Sequence, residues 1–313
     1  MSFLVIKIIL IPNISKHALD IPNSRSSHQI AVPRIGGIAI VLAVAFSWLI
    51  LGLESAWSLL GLAGIIAVVS IIDDVRNVNI IVRLLIHFIT ATAFIYFELG
   101  NADMNWAFHL MCIIAIAWMI NLYNFMDGID GLAGGMAFHG FAAYGIAAAW
   151  FSDDITFAMA NFCVAGASLA FLYFNFSPAK IFLGDVGSTS LGFLAAALGL
   201  YGWHHGIWPI YFPVLVFLPF IADASITLGK RMFNKKKIWQ PHREHYYQRM
   251  LTVGLTQKQT TIIEYGLSLV CIVIALFMLD QAVKMQLIIL AVTLLSTCIF
   301  LFYIDHRWKK KAC

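Results

Sequence analysis

Apolar runs long enough to cross a hydrocarbon layer of about 30 Å recur along the whole of this 313-residue chain, and they limit its fold more than any other feature. Short breaks rich in Gly, Pro, Asn and Asp separate them. Runs are expected at about 2–12, 37–53, 57–72, 80–99, 106–123, 132–151, 155–174, 187–203, 207–229, 262–279 and 284–304. Pro12 and Asn13 close the first run short of the roughly 20 residues a spanning helix needs, so the count is ten or eleven. That first run also lacks the small-residue cleavage site of a signal peptide. Composition agrees with lipid as the main solvent: 61% of residues are hydrophobic, 12% are charged and the mean hydropathy is +0.86. A soluble globule of this size would need far more charge on its surface. Disorder and a disulfide scaffold are excluded by the same figures. The expected fold is all-α, a polytopic helix bundle in a membrane.

Charge then sets the orientation. All the Lys and Arg residues except Lys7 and Lys284 fall in alternate breaks, from Lys16, Arg25 and Arg34 through Arg76, Arg83 and Lys180 to the basic loop and the C-terminal tail. The opposite breaks carry Glu54, Glu98, Asp103, Asp153, Asp154 and Asp280. Basic loops stay in the cytoplasm, which predicts an outside N-terminus and a cytoplasmic C-terminus. One larger cytoplasmic loop, about 230–261, is expected within a single transmembrane catalytic domain covering 1–313. The basic residues follow topology rather than a recognition element, so no nucleic-acid partner is expected. Five cysteines stand singly, without metal-ligand or redox spacing, and are read as apolar fillers.

Four polar groups sit at the ends of spans, all on the side that carries the positive charge. Asp73-Asp74 ends the third span. Asn121, Asn124, Asp127 and Asp130 recur at every third position where the fifth span ends, near one face of a helix. The stretch Asn175 to Ser188 contains Lys180, Phe182 and Gly184-Asp185-Val-Gly187-Ser188. The basic loop holds His242-Arg243-Glu244-His245-Tyr246-Tyr247-Gln248. Carboxylates near membrane depth cost about 2.5–3.5 kcal/mol each on insertion scales, so each needs a reason to be there. Gathered acids repel, and a divalent cation relieves them. Oxygen donors without cysteine suit Mg²⁺, with Mn²⁺ as an alternative, better than zinc. Arg and His nearby would bind phosphate. The chemistry implied is phosphoryl transfer at the membrane surface.

Plainer readings exist for each group. Asp73 and Asp74 could flank a helix, and Asn124 to Gly131 could form a turn. Gly184 to Ser188 could be an ordinary Gly-rich turn. Lys235-Lys236-Lys237 reads better as a topology and headgroup signal than as a substrate site. Asp223, inside the ninth span, reads at least as well as a structural hydrogen-bonding residue as a catalytic one. The histidines outside the basic loop form no paired motif, and only His28 is kept as a substrate contact.

Taken in order, these groups resemble the polyprenyl-phosphate N-acetylhexosamine-1-phosphate transferases, of glycosyltransferase 4 type. The resemblance runs from Asp20-Ile-Pro22-Asn-Ser-Arg25-Ser-Ser-His28 and Pro33-Arg34-Ile-Gly36-Gly37 to Gln248. The loop His242-Arg243-x-His245-x-Tyr247-Gln248 resembles the bacterial O-antigen-initiating undecaprenyl-phosphate branch more than the peptidoglycan branch, whose loop carries a run of histidines. The resemblance implies a bacterial inner-membrane enzyme in which undecaprenyl phosphate attacks the β-phosphorus of a UDP-N-acetylhexosamine and UMP leaves. It implies Asp185 and Asp127 as metal ligands, and Asp73, Asp74 and Asp127 as catalytic residues. By the same resemblance Asn124, Asp130, Asn175 and Phe182 line a uridine pocket, while His242, Arg243, His245 and Arg34 contact phosphate. It allows a homodimer and does not identify the sugar. Two rivals are an aspartate-rich membrane prenyltransferase and a transporter. The first leaves the Gly184 to Ser188 motif and the His-Arg-His loop unexplained, and the second should put its ionisable groups at the midplane of broken helices.

Overall fold

A computed structural model describes residues 1–11, 19–20, 31–53, 56–76, 78–100, 105–237, 240 and 242–312. His28, and with it most of the Asp20 to His28 motif, lies outside the described residues. The helices are α1 (Ser2–Ile9), α2 (Gly36–Ile50), α3 (Trp57–Arg76), α4 (Ile80–Phe94, continued by a π-helical turn Ile95–Leu99) and α5 (Trp106–Phe125). After these come α6 (Leu132–Phe151), α7 (Ile155–Asn175), α8 (Gly184–His204), α9 (Tyr211–Val216) and α10 (Leu218–Phe233). The chain ends with α11 (Tyr246–Val253), α12 (Gln257–Met278) and α13 (Val283–Ala312). Two short strands, β1 (Leu19–Asp20) and β2 (Val32–Pro33), pair antiparallel, Leu19 opposite Pro33.

Helices are the natural form here, because lipid offers no partner to a backbone N–H or C=O. Among the described residues seven helices are long and apolar enough to cross a membrane: α3, α4, α5, α6, α7, α12 and α13. The protein is a multi-pass membrane protein. Its outer surface is apolar, as on α13, where Leu287, Val292, Leu295, Ile299 and Phe302 are exposed. Polar caps close the helices where they leave the bundle. Asn79, Asn105 and Asp154 accept from the N–H groups of Ile81, Ala107 and Phe157 at 2.8, 2.8 and 2.9 Å.

Four expected spans take other forms, among them the run 37–53, which is the 15-residue helix α2. The first yields only the eight residues of α1, about 12 Å of helix, because the apolar run stops at Pro12. The run 207–229 is broken into α9 and α10 at Phe217. Pro219, in the first turn of α10, has no N–H to give to the preceding turn. The run 187–203 is the long helix α8, whose small and hydroxyl-bearing residues make it less apolar than its neighbours. It can be so because α2, α3, α5, α6 and α9 surround it and its surface is almost wholly buried in protein. The expected loop at 230–261 contains α11, an eight-residue helix packed on α10, α12 and α13.

Candidate active site

One end of the bundle gathers the N-termini of α2, α4, α6, α8 and α12 with the C-termini of α3, α5, α7 and α10. The closest joint lies between α2 and α8. The N–H groups of Gly36 and Gly37, which a helix start leaves without partners, donate to the carbonyls of Phe182 and Leu183 at 2.9 and 2.8 Å. Phe182 N–H donates in turn to Pro33 O at 2.7 Å. The backbones meet so closely that a Cβ on Gly37 would overlap the backbone of Gly187. Gly184, at φ +73°, turns the chain into α8 under the Arg34 carbonyl, where a side chain would be both strained and obstructed. Arg34 is thereby placed in an ion pair with Asp185, on the first turn of α8.

Arg83, on α4, completes a second bridge. It pairs with Asp73, at the end of α3, and lies 3.7 Å from Asp185. Asp73 also accepts from Val78 N–H at 2.8 Å, so both of its oxygens are engaged in closing the turn between α3 and α4. Asp74 is exposed and makes no hydrogen bond among the described residues; Asp185, Asp73, Arg34 and Arg83 all act on its charge. Asp127, in the turn after α5, accepts from Gly184 N–H at the start of α8. Burial first, and then the charges of Asp185 and Asp130, push the Asp127 carboxyl up to about 7 against the opposing pull of Arg34 and the Gly184 N–H. Burial opposes the charge of Arg34, but Asp185, Asp74, Asp127 and Asp20 outweigh it and hold its pKa above the ordinary value. Asp73, Asp74, Asp127, Asp185, Arg34 and Arg83 therefore form one electrostatic cluster.

Asn124 stands beside this cluster and donates to Ser188 Oγ at 2.9 Å. Asn175 and Asp130 do different work. Asn175 is buried, accepts from Gly131 N–H at 3.0 Å and donates to Ile181 O at 2.9 Å. Asp130 accepts from Ala179 N–H at 3.0 Å, and its carbonyl takes the Thr261 hydroxyl at 2.9 Å. These two side chains hold the loops before α6 and α8 together, and the Asp130 backbone ties them to α12. Phe182 is half-buried, and its backbone carries the α2 joint.

The basic loop reaches the same end through α11. Asp223, buried on α10, accepts from the N–H groups of Tyr246 and Tyr247 at 2.9 Å each and lies 3.1 Å from His245 Nδ1. It thus caps α11 and fixes the ring of His245, leaving Nε2 as the nitrogen for a ligand. The rings of Tyr247 and His242 stack on His245 with centroids 5.9 and 4.9 Å away. Tyr247 OH donates to Phe125 O at 3.2 Å, and a Cβ on Gly128 would occupy its place. Gly128 is therefore where the Asp127 turn and the histidine loop meet. Arg243 is exposed in this loop. Asp305, near the end of α13, pairs with Lys230 and Arg249, and the Arg249 guanidinium lies 4.6 Å from the Tyr246 and Trp308 ring centres.

Among the described residues no three Asp, Glu, His or Cys side chains close round one point as a metal cage. Mg²⁺ is commonly held by one or two carboxylates, water and substrate phosphates rather than by protein alone. The donors of this cluster are all carboxylate oxygens, a donor type that suits that ion better than zinc.

Arg83 and Gly128 escape a reading of the sequence as site residues, whereas Asp223 takes the hydrogen-bonding role that was one of its two expected readings. Arg83 stands alone in an apolar helix, and Asp223 acts across 22 residues of chain; their partners are visible only in the fold.

Known proteins are similar to this chain over most of its length. The sequence profile of glycosyl transferase family 4 matches residues 56–202. A probable undecaprenyl-phosphate N-acetylglucosaminyl 1-phosphate transferase of Bacillus subtilis (strain 168) is 26% identical over 294 residues, covering 89% of this chain and 82% of its own. An undecaprenyl-phosphate alpha-N-acetylglucosaminyl 1-phosphate transferase of Escherichia coli O157:H7 is 26% identical over 313 residues, covering 93% and 84%. The matched span contains Asp73, Asp74, Asp127 and Asp185, four members of the electrostatic cluster, and over that span the chain is similar to glycosyl transferase family 4.

Proposed function

We propose that this enzyme transfers N-acetylhexosamine 1-phosphate from a UDP-sugar to undecaprenyl phosphate, releasing UMP, at the cytoplasmic face of the bacterial inner membrane. N-acetylglucosamine is the first sugar to test, because the relatives' names specify it. The lipid diphosphate sugar would begin a surface polysaccharide of the O-antigen type. The observation that carries this reading is the meeting of four carboxylates and two arginines at one rim of an apolar bundle. A lipid phosphate stays at the interface while its tail stays in the bilayer, and a nucleotide sugar arrives from water. A site at the rim serves both.

Asp74, with its oxygens uncommitted, is the carboxylate open to the acceptor phosphate; Asp73 holds Arg83 in place. Arg34 and Arg83 offset the repulsion between the incoming phosphate and the acids and stabilise charge on the oxygen that leaves with UMP. Asp185 and Asp127 are the residues that would hold Mg²⁺. When bound, the ion supplies charge neutralisation on the donor diphosphate. His245, steadied by Asp223, and Arg243 offer donors to that diphosphate from the opposite side of the Asp127 turn. A phosphate monoester is already largely dianionic near neutral pH, so orientation and charge stabilisation matter more here than proton removal.

The reading is tested with purified protein, undecaprenyl phosphate, Mg²⁺ and a panel of UDP-N-acetylsugars. UMP should appear with at least one donor. Folded protein that releases UMP from none of them would refute it.

A further inference from the structure

Helices α10, α12 and α13 enclose a cavity of about 220 Å³. Its walls are mostly apolar, with Leu267, Cys271 and Phe300 among them. Val270 and Val292, each 58% exposed, mark its opening on the lipid-facing surface.

Two acids stand in these walls, Asp223 and Glu264, and no Lys, Arg or His does. The Asp223 carboxylate is already committed to the start of α11 and to His245. Glu264 is not committed. It is 4% exposed and has no hydrogen-bond partner among the described residues. A buried carboxyl that nothing satisfies is costly, and buried polar groups in folded proteins nearly always find a partner. The hydroxyls that line the cavity do not supply one: Thr293, Ser296 and Thr297 donate to Ile289 O, Val292 O and Thr293 O of their own helix, at 2.8, 2.8 and 2.9 Å. The wall is thus rich in acceptors and poor in donors. A complementary occupant brings N–H donors and positive charge on a head and apolar surface on its body.

We propose that this cavity binds a membrane-dissolved amphiphile with a primary ammonium head, the head paired with Glu264 and the chain lying towards Val270 and Val292. Because Asp223 borders the cavity and also holds His245, the head sits one side chain away from the basic loop.

The probe is n-dodecylamine, titrated into the full-length protein in phosphatidylcholine nanodiscs, with n-dodecanol and dodecanoate as comparisons and melting temperature as the readout. The amine should raise the melting temperature saturably, and the alcohol and acid should not. In Glu264→Gln its apparent affinity should fall at least about tenfold, the order expected when a charge pair shielded from water loses one partner. Thr297→Phe, which fills the cavity and keeps the acid, should also lose the response. Equal responses to amine and alcohol, or an amine response kept by either variant, would overturn the proposal. Should Glu264→Gln fail to fold, the Thr297→Phe comparison and the amine-alcohol difference decide. The readout is binding, so it stands apart from any result on sugar-phosphate transfer.

Discussion

Asp73 and Asp74 are adjacent in the chain but do different work. Asp73 is buried and bonded to Val78 N–H and Arg83, so Asp73→Ala should cost about 1–3 kcal/mol of stability, as for a lost buried charged hydrogen bond, and lower turnover as well. Asp74 is exposed, so Asp74→Ala should lose turnover while its melting temperature stays near that of the wild type. Melting curves and initial rates of the two variants check this; a destabilised Asp74→Ala beside a stable Asp73→Ala would reverse the assignment. The sequence points to both acids but does not separate them, because the difference lies in partners at positions 78 and 83 rather than in the acids themselves. His242 makes a separate prediction. Burial, together with the charges of His245 and Arg231, lowers its pKa from 6.5 to about 4 despite Glu244 and Asp223. An unfolded loop therefore takes up a proton before the folded one does. The stability of the folded loop is intact above pH 6.5 and declines as pH falls towards 4. Hydrogen exchange across Tyr246–Val253, corrected for intrinsic rates, should speed up between pH 7 and pH 5, and His242→Asn should flatten the change.

At the scale of elements, the start of α2 against the start of α8 is the joint on which the site depends. Gly37→Ala would push a methyl group into the Gly187 backbone, and the two helices would have to separate. The expected cost is about 1–3 kcal/mol, as for overpacking elsewhere, with activity lost in step because Arg34 and Asp185 lie on either side of the joint. Gly61→Ala on α3, where a Cβ meets open space, is the matched control and should leave both stability and activity close to wild type. Equal effects at the two glycines, read by thermal melting, would contradict the role given to the joint. The helices that are apolar along their length are plain in the sequence, since hydropathy records contact with lipid. Where protein replaces lipid the record weakens, as in α8 with its glycines and hydroxyls. Two prolines near Phe217 break one apolar run into α9 and α10, which a count of apolar residues passes over.

For the whole molecule, an apolar exterior and the rim that gathers the arginines and carboxylates define the work it can do. The four acidic and basic groups read from the sequence do meet at one end, because alternate helices bring their ends to the same side. What the sequence leaves open is which members face the cluster and which brace it: Asn175 and Asp130 spend their polar atoms on backbone groups, whereas Arg83 enters the cluster without a motif to announce it. Sugar-phosphate transfer at this rim, the proposed reaction, requires that the bond between the two donor phosphates break. That is tested most directly with UDP-N-acetylglucosamine labelled separately at the α- and β-phosphorus, incubated with undecaprenyl phosphate and Mg²⁺. The β-label should pass into the lipid fraction while the α-label remains in water as UMP, and Asp185→Asn should abolish both movements. If both labels stay together in UDP while the sugar alone enters the lipid, the bond that breaks is the wrong one and the central claim fails.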